Sequence, residues 1–327
     1  MHGSRPGTAV YFGKVPSRGD FVKGNGHPQL IGMLDRWLSN TMEQMAADPH
    51  WKHAYDSATP VHFAFVGVQS KVSVVGHLRP SHDVSNRRFP FLAATTIESP
   101  QGQLVRQAPA HFSQLWGRFK RVAEQSCTAE EATPLLQSLQ LLDCQGEIDA
   151  AVRGDPLGIF LRTHTLARLD ALLGAGDTAI DVRRIILAIG LLLAPLLGTA
   201  RANIEKGLSL PLPDDPMYRD LTAALWMTLV AGFLPPTTEL QLLIGVRERR
   251  HRLVIGFNGA NVKPLLSLLC PDTMGASNIV VDDPEWVEDH PELRNNYGVA
   301  KLSSYLSQPD TALASAVATF NEVFVGV

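Results

Sequence analysis

Tyr11-Phe12-Gly13-Lys14-Val15-Pro16-Ser17-Arg18-Gly19-Asp20-Phe21-Val22 is the stretch from which the architecture is read. Two aromatics run into a glycine, Pro16 breaks the strand, and Arg18-Gly19-Asp20 precedes Phe21 and Val22. The order predicts a short strand, a tight polar turn and a return to buried structure. A second stretch has the same character: Gly76-His77-Leu78-Arg79-Pro80-Ser81-His82-Asp83-Val84-Ser85-Asn86-Arg87-Arg88-Phe89-Pro90-Phe91. Each sets an acid and arginines in a turn between apolar or aromatic flanks.

Working outward, a helix is predicted over about 28–47, because Leu30, Leu34, Trp37, Leu38 and Met42 share one stripe. Residues 60–67 read as a strand, with Val61, Phe63 and Phe65 alternating against His62 and Ala64. Residues 70–78 supply its hairpin partner through β-branched Val72, Val74 and Val75. Residues 89–97 are apolar enough for the middle of a sheet. An amphipathic helix follows over 112–126 through Phe112, Leu115, Trp116, Phe119 and Val122. A second helix is expected over 129–142, with Thr128 as N-cap and Glu131 completing a capping box.

The acids and glycine of 145–155 suggest a boundary between an N-terminal domain, 1–145, and a helix-rich region, 156–327. Helices are expected in that region over 158–173, 179–199, 261–269, 299–306 and 311–324, and 218–230 reads either as a helix or as a short helix running into a strand. Residues 207–216, rich in Leu and Pro, read as a surface loop, and 278–282 as a short strand. Two apolar runs around Arg247-Glu248-Arg249-Arg250-His251-Arg252 signal a hairpin near 239–257. The expected fold is therefore α/β: a layered sandwich with a mixed or antiparallel central sheet in the first part, and a helix-rich α+β second part.

Composition narrows the function classes. A chain of 327 residues with 45% hydrophobic and 19% charged residues is globular. A formal net charge of -3 argues against a protein built to bind nucleic acid, and the basic run at 247–252 reads as a solvated hairpin turn. Cys127, Cys144 and Cys270 show no ligand spacing and fit a reducing compartment. His50 and His53 lie three apart around Trp51, but no third metal ligand is evident nearby. Gly24-x-Gly26 lacks the third glycine of a dinucleotide loop. No cofactor or metal is expected. The first residues lack the apolar core of a signal peptide, and the apolar run 185–198, interrupted by Pro195, is shorter than the roughly 20 residues a bilayer needs. A cytoplasmic protein without membrane insertion is expected.

In these two turns the sequence resembles the TagF family, also called ImpM, of type VI secretion-associated proteins. The family opening Tyr/Phe-Gly-Lys-Leu-Pro-x-Arg-Gly-Asp-Phe-Val is similar to residues 11–22, with Val15 for Leu. Its Asp-x-Trp-Leu element is met by Asp35-Arg36-Trp37-Leu38, and its Pro-Ser-x-Asp-x-x-Gly-Arg-x-Phe-Pro pattern by Pro80, Ser81, Asp83, Arg87, Phe89 and Pro90. Asn86 stands where the family has glycine; asparagine tolerates a left-handed backbone better than most residues, so the turn can survive. The resemblance covers about 8–130, and more weakly Leu225-Trp226 and the hairpin after it. It implies a bacterial, non-enzymatic cytoplasmic regulator, a post-translational repressor of a type VI secretion apparatus. The implied mode is protein–protein interaction with a forkhead-associated scaffold protein of that system.

Arg18, Asp20, Asp83 and Arg87 are the candidate site residues. Two acids and two arginines on two turns can pair and lock those turns together. The same residues, with their aromatic neighbours, also suit a partner-binding surface. A hydrolase using Asp20 or Asp83 would need both carboxylates close together with separated pKa values, and no nucleophile or base stands at a recognisable spacing. Ser81-His82-Asp83 contains triad residue types, but triads are assembled across a fold. A structural subunit of the secretion assembly, recruited through 156–327, is the third reading.

Overall fold

The structure is a computed structural model that describes residues 7–98, 103–174, 180–199 and 204–326. Its strands are β1 (Val10–Gly13), β2 (Val22–Lys23), β3 (Val61–Gly67), β4 (Val72–Arg79), β5 (Phe91–Glu98), β6 (Gly207–Leu212), β7 (Glu239–Arg247), β8 (Arg250–Gly256) and β9 (Asn278–Val280). They form one nine-stranded sheet in the order β2-β1-β5-β4-β3-β7-β8-β6-β9. Every pairing is antiparallel except β6 with β9.

Helices cover both faces. α1 (Pro28–Met45), α2 (Trp51–Ser57) and α10 (Val262–Leu269) lie on one side. On the other lie α3 (Gln103–Thr128), α5 (Cys144–Arg153), α6 (Pro156–Thr163), α7 (Leu166–Leu173), α8 (Val182–Leu193), α9 (Pro216–Ala231), α13 (Tyr297–Leu306) and α14 (Leu313–Phe324). Short α4 (Thr133–Leu139), α11 (Met274–Ser277) and α12 (Pro291–Asn295) complete the set. The strands therefore alternate between two cores. In β3, Val61 and Phe63 face α1 while Ala64 and Val66 face α3, as the two-residue period requires. Two buried indoles fix the layers: Trp116 Nε1 donates to the Phe63 carbonyl at 3.1 Å, and Trp37 Nε1 to the Asn261 carbonyl at 3.1 Å.

Several expectations change. The stretch expected as a surface loop at 207–216 begins with β6, all six residues of which are buried. Leu208, Leu210 and Leu212 alternate into the helical core, each worth about 1.5–3 kcal/mol of burial, which outweighs the poor strand propensity of Pro211. Thr128 is the last residue of α3 rather than an N-cap, and α4 starts only at Thr133, whose amide donates to Glu131 Oε1 at 2.9 Å. The 145–155 stretch is mostly α5, and β3 from the first half pairs directly with β7 from the second. Residues 158–173 hold two helices, α6 and α7. Ala179, the expected start of the next helix, lies outside the described residues, as do Met1–Pro6.

Candidate functional site

Gly13 closes β1 with φ of 128°, and a Cβ there would lie 2.0 Å from the Pro90 carbonyl oxygen. Only glycine lets β1 pass this close to the Phe89-Pro90-Phe91 segment. Lys14, next in sequence, is thereby buried, with Nζ 5.1 Å from the centroid of the Phe21 ring. The ammonium reaches Asp83 Oδ2 at 2.9 Å.

Asp83 is fully buried and collects four donors. Lys14 Nζ and Arg87 Nε (2.7 Å) meet Oδ2, and the amides of Ser85 (2.9 Å) and Arg87 (3.0 Å) meet Oδ1. Burial by itself raises the carboxyl pKa. The Lys14 ammonium, the two amides and the Arg87 guanidinium outweigh that and hold it well below the usual carboxylate range. The loop closes on itself as the Asp83 amide donates to the Arg87 carbonyl and the Asn86 amide to the Asp83 carbonyl. Asn86 adopts φ of 58°, the left-handed conformation expected at a position where the family has glycine.

The two turns are tied backbone to backbone. The Val84 amide donates to the Arg18 carbonyl at 2.9 Å, and Arg87 Nη2 donates to the Gly19 carbonyl at 2.6 Å. From behind, the Tyr55 hydroxyl donates to the Ser81 carbonyl and accepts from the Ser81 amide, both at 2.9 Å. Arg88 makes a two-pronged pair with Asp56, each prong 2.7 Å.

Of the four sequence-predicted residues, Asp83 and Arg87 come together and the other two do not join them. Arg18 turns toward α4, where Nη2 meets Glu131 Oε1 at 2.7 Å and Thr133 Oγ1 at 2.6 Å. Asp20 stays exposed and accepts from the Phe21 amide at 2.8 Å, with no basic partner among the described residues. Lys14 is the member that sequence reasoning missed; its signal was strand alternation, which puts it on the same buried face as Phe12. The expected burial of Phe21 is also corrected. Its ring stacks on Phe12 at 5.4 Å and meets the edge of Phe89 at 5.0 Å, yet remains 42% exposed beside Val84, which is 64% exposed. A fixed aromatic, an exposed valine and the arginine rims of both turns thus form one surface patch.

The adjacent triad types are not a relay. His82 Nδ1 contacts the Asp83 backbone carbonyl at 2.9 Å rather than its carboxylate, and Ser81 Oγ lies 3.5 Å from Cys127 Sγ. No group of three metal-ligating side chains occurs among the described residues, His50 and His53 included. No described helix is long and apolar enough to cross a membrane.

Residues 10–142 match the family described as TagF N-terminal domain, type VI secretion system-associated. Over that span the chain is similar to TagF N-terminal domains. The matched span takes in both turns, β1 to β5, and helices α1 to α4. No curated protein matches the chain. Among solved structures, the chain is similar to PA0076 from Pseudomonas aeruginosa PAO1, at 24% identity and a TM-score of 0.33. That match covers 41% of this chain and 62% of the other, less than two thirds of its length.

Proposed function

We propose that this type VI secretion-associated chain is a non-enzymatic regulator, a post-translational repressor that acts in the cytoplasm by binding a forkhead-associated scaffold protein of the secretion system. The observation that carries this reading is the division of labour within the two turns. Asp83 is consumed by four donors inside the protein, which leaves no lone pair poised for proton transfer. The same turns hold Phe21 and Val84 outward, with the Arg87 side chain 61% exposed and the Arg18 side chain 44% exposed. An exposed aromatic beside turns that carry half-exposed arginines has the residue types of an interface hot spot.

Titration calorimetry of the full chain against the purified forkhead-associated scaffold protein tests the reading. Saturable binding that weakens with added salt and is lost in Phe21→Ser/Val84→Asp supports it. Absence of binding at low salt, or equal binding by that double variant, counts against it.

A further inference from the structure

The two-turn patch leaves one group of bases unused. His62 on β3 and His77 on β4 stand directly opposite each other, on the face that Ala64 and Val75 turn to α3. Their Nδ1 atoms are 3.0 Å apart, so in the neutral pair one ring donates and the other accepts. His77 is buried, and its Nε2 has no hydrogen-bond partner. Two residues on, Arg79 shares the face of His77, as the strand period requires. Its Nε is also buried without a partner, and Arg79 makes no ion pair among the described residues.

The helix above leaves an opening there. Trp116, Lys120, Ala123 and Cys127 recur at helical spacing along the stripe that α3 turns to the sheet. Trp116 stacks on His62, and Cys127 reaches Ser81 just past the end of β4. Lys120 lies between these two contacts, over the stretch from His77 to Arg79. Trp116 and Ala123 are buried, as sheet-facing positions should be, yet the Lys120 side chain is 49% exposed. α9 does not close the gap. Ser113 meets Asp220 and Thr228 meets the Arg106 carbonyl, so α9 runs antiparallel to α3 and starts near Gly117, short of Lys120. Solvent therefore reaches His62, which is only half-buried.

Burial first, and then Lys120 on α3, Arg79 on β4, Arg219 on α9 and His251 on β8, disfavour a proton on the pair. The acids on the same elements have other partners. Glu124 reaches Lys120 only at 3.9 Å, Asp220 is held by Ser113, Asp215 caps α9, and Asp214 meets His251 at 3.0 Å. We propose that this opening binds a tetrahedral oxyanion, the phosphate group, through Arg79, Lys120 and the His62–His77 pair, which takes up a proton as the anion enters. The anion supplies acceptors that Arg79 Nε and His77 Nε2 lack, and its charge favours the imidazolium. Proton and anion each strengthen the binding of the other, so affinity rises as pH falls.

Sulfate is the first probe, because its charge is constant across the pH range used and any proton taken up belongs to the protein. Calorimetric titration of the full chain should give one saturable site, with a dissociation constant on the order of 1 mM at about pH 6 that weakens about ten-fold by about pH 8. Repeating the titration in two buffers of different ionisation enthalpy should show net proton uptake. Lys120→Met, on an exposed side chain, should unfold at the wild-type temperature and weaken binding about five-fold, and Arg79→Met should weaken it at least as much. His62→Gln/His77→Gln should remove the pH dependence. Inorganic phosphate and O-phosphoserine then show whether the group is free or carried on a side chain, and saturable binding of either supports the site. No saturable binding up to about 50 mM, equal affinity at both pH values, or binding indifferent to Lys120→Met and Arg79→Met would each overturn the inference.

Discussion

Lys14 Nζ and Asp83 Oδ2 meet at 2.9 Å across 69 positions of sequence, with the carboxylate fully buried and the lysine side chain only 9% exposed. This pair joins the first turn to the second from the inside, while Arg87 closes it from the outside. A buried ion pair is costly to break from one side, because the remaining charge has no water to replace its partner.

The two cations should therefore differ. Lys14→Met strands a buried carboxylate with a single cation at the surface, whereas Arg87→Met leaves the buried half of the pair intact and opens the rest to water. Thermal unfolding should place the Lys14 variant several degrees below wild type and clearly below the Arg87 variant. Equal losses would mean that the buried position of Lys14 carries no special weight.

Backbone conformation gives a second ordering. Gly13→Ala puts a methyl against the Pro90 carbonyl at a backbone angle that side chains rarely adopt, and should cost about 3 kcal/mol or more in urea unfolding. Gly19→Ala, whose Cβ would meet only Val84 at 3.7 Å, should stay within about 0.5 kcal/mol. At Asn86, substitution by Val should cost roughly 1–2 kcal/mol, and substitution by Gly should be close to neutral.

The pH dependence follows from a histidine pair beneath α3, in which His77 is buried and His62 half-buried. His62 and His77 face each other with Nδ1 atoms 3.0 Å apart, and His62 stacks on Trp116. Burial pushes His62 down to about 3 and His77 well below its ordinary value, with Lys120 adding to both, Arg219 and His251 to the first, and His62 and Arg79 to the second. The folded pair stays neutral where the unfolded chain takes up protons, so its contribution is complete above about pH 6.5 and is lost as pH falls below that. The slope is on the order of 1.4 kcal/mol per pH unit for each histidine. Asp83, with its lowered pKa, adds loss only below about pH 4. Asp220, raised to about 6 by burial, acts in the opposite sense between about pH 4 and 6. Both remain in His77→Gln, as does His62, so the difference between wild type and that variant isolates the share of His77. Urea unfolding from pH 7.5 to 5 should give a flatter profile for the variant; identical profiles would contradict the burial account.

Much of this architecture is readable from periodicity. The apolar stripe of α1, the alternation of β3 and the hairpin of β7 and β8 are each dictated by local pattern, and the structure has them within a few residues of their expected ends. β6 was hidden because a proline within a leucine-rich run reads as loop until a covering layer of helices is known. The site divides in the same way. Asp83 and Arg87 sit four apart in one turn, so their pairing is local. The Lys14 and Glu131 contacts depend on how distant segments close on the turns, and no pattern within either segment encodes them. The exposure of Phe21 is likewise set by what the neighbouring segments leave uncovered.

The proposed repression through the two-turn patch is read out by secretion output. A strain deleted for this chain would be complemented with wild type or with Phe21→Ser/Val84→Asp, the variant first being shown to unfold at the same temperature as wild type. If the patch carries repression, wild type lowers secretion and the variant leaves it at the level of the deletion strain. Repression by the variant equal to that of wild type would contradict it.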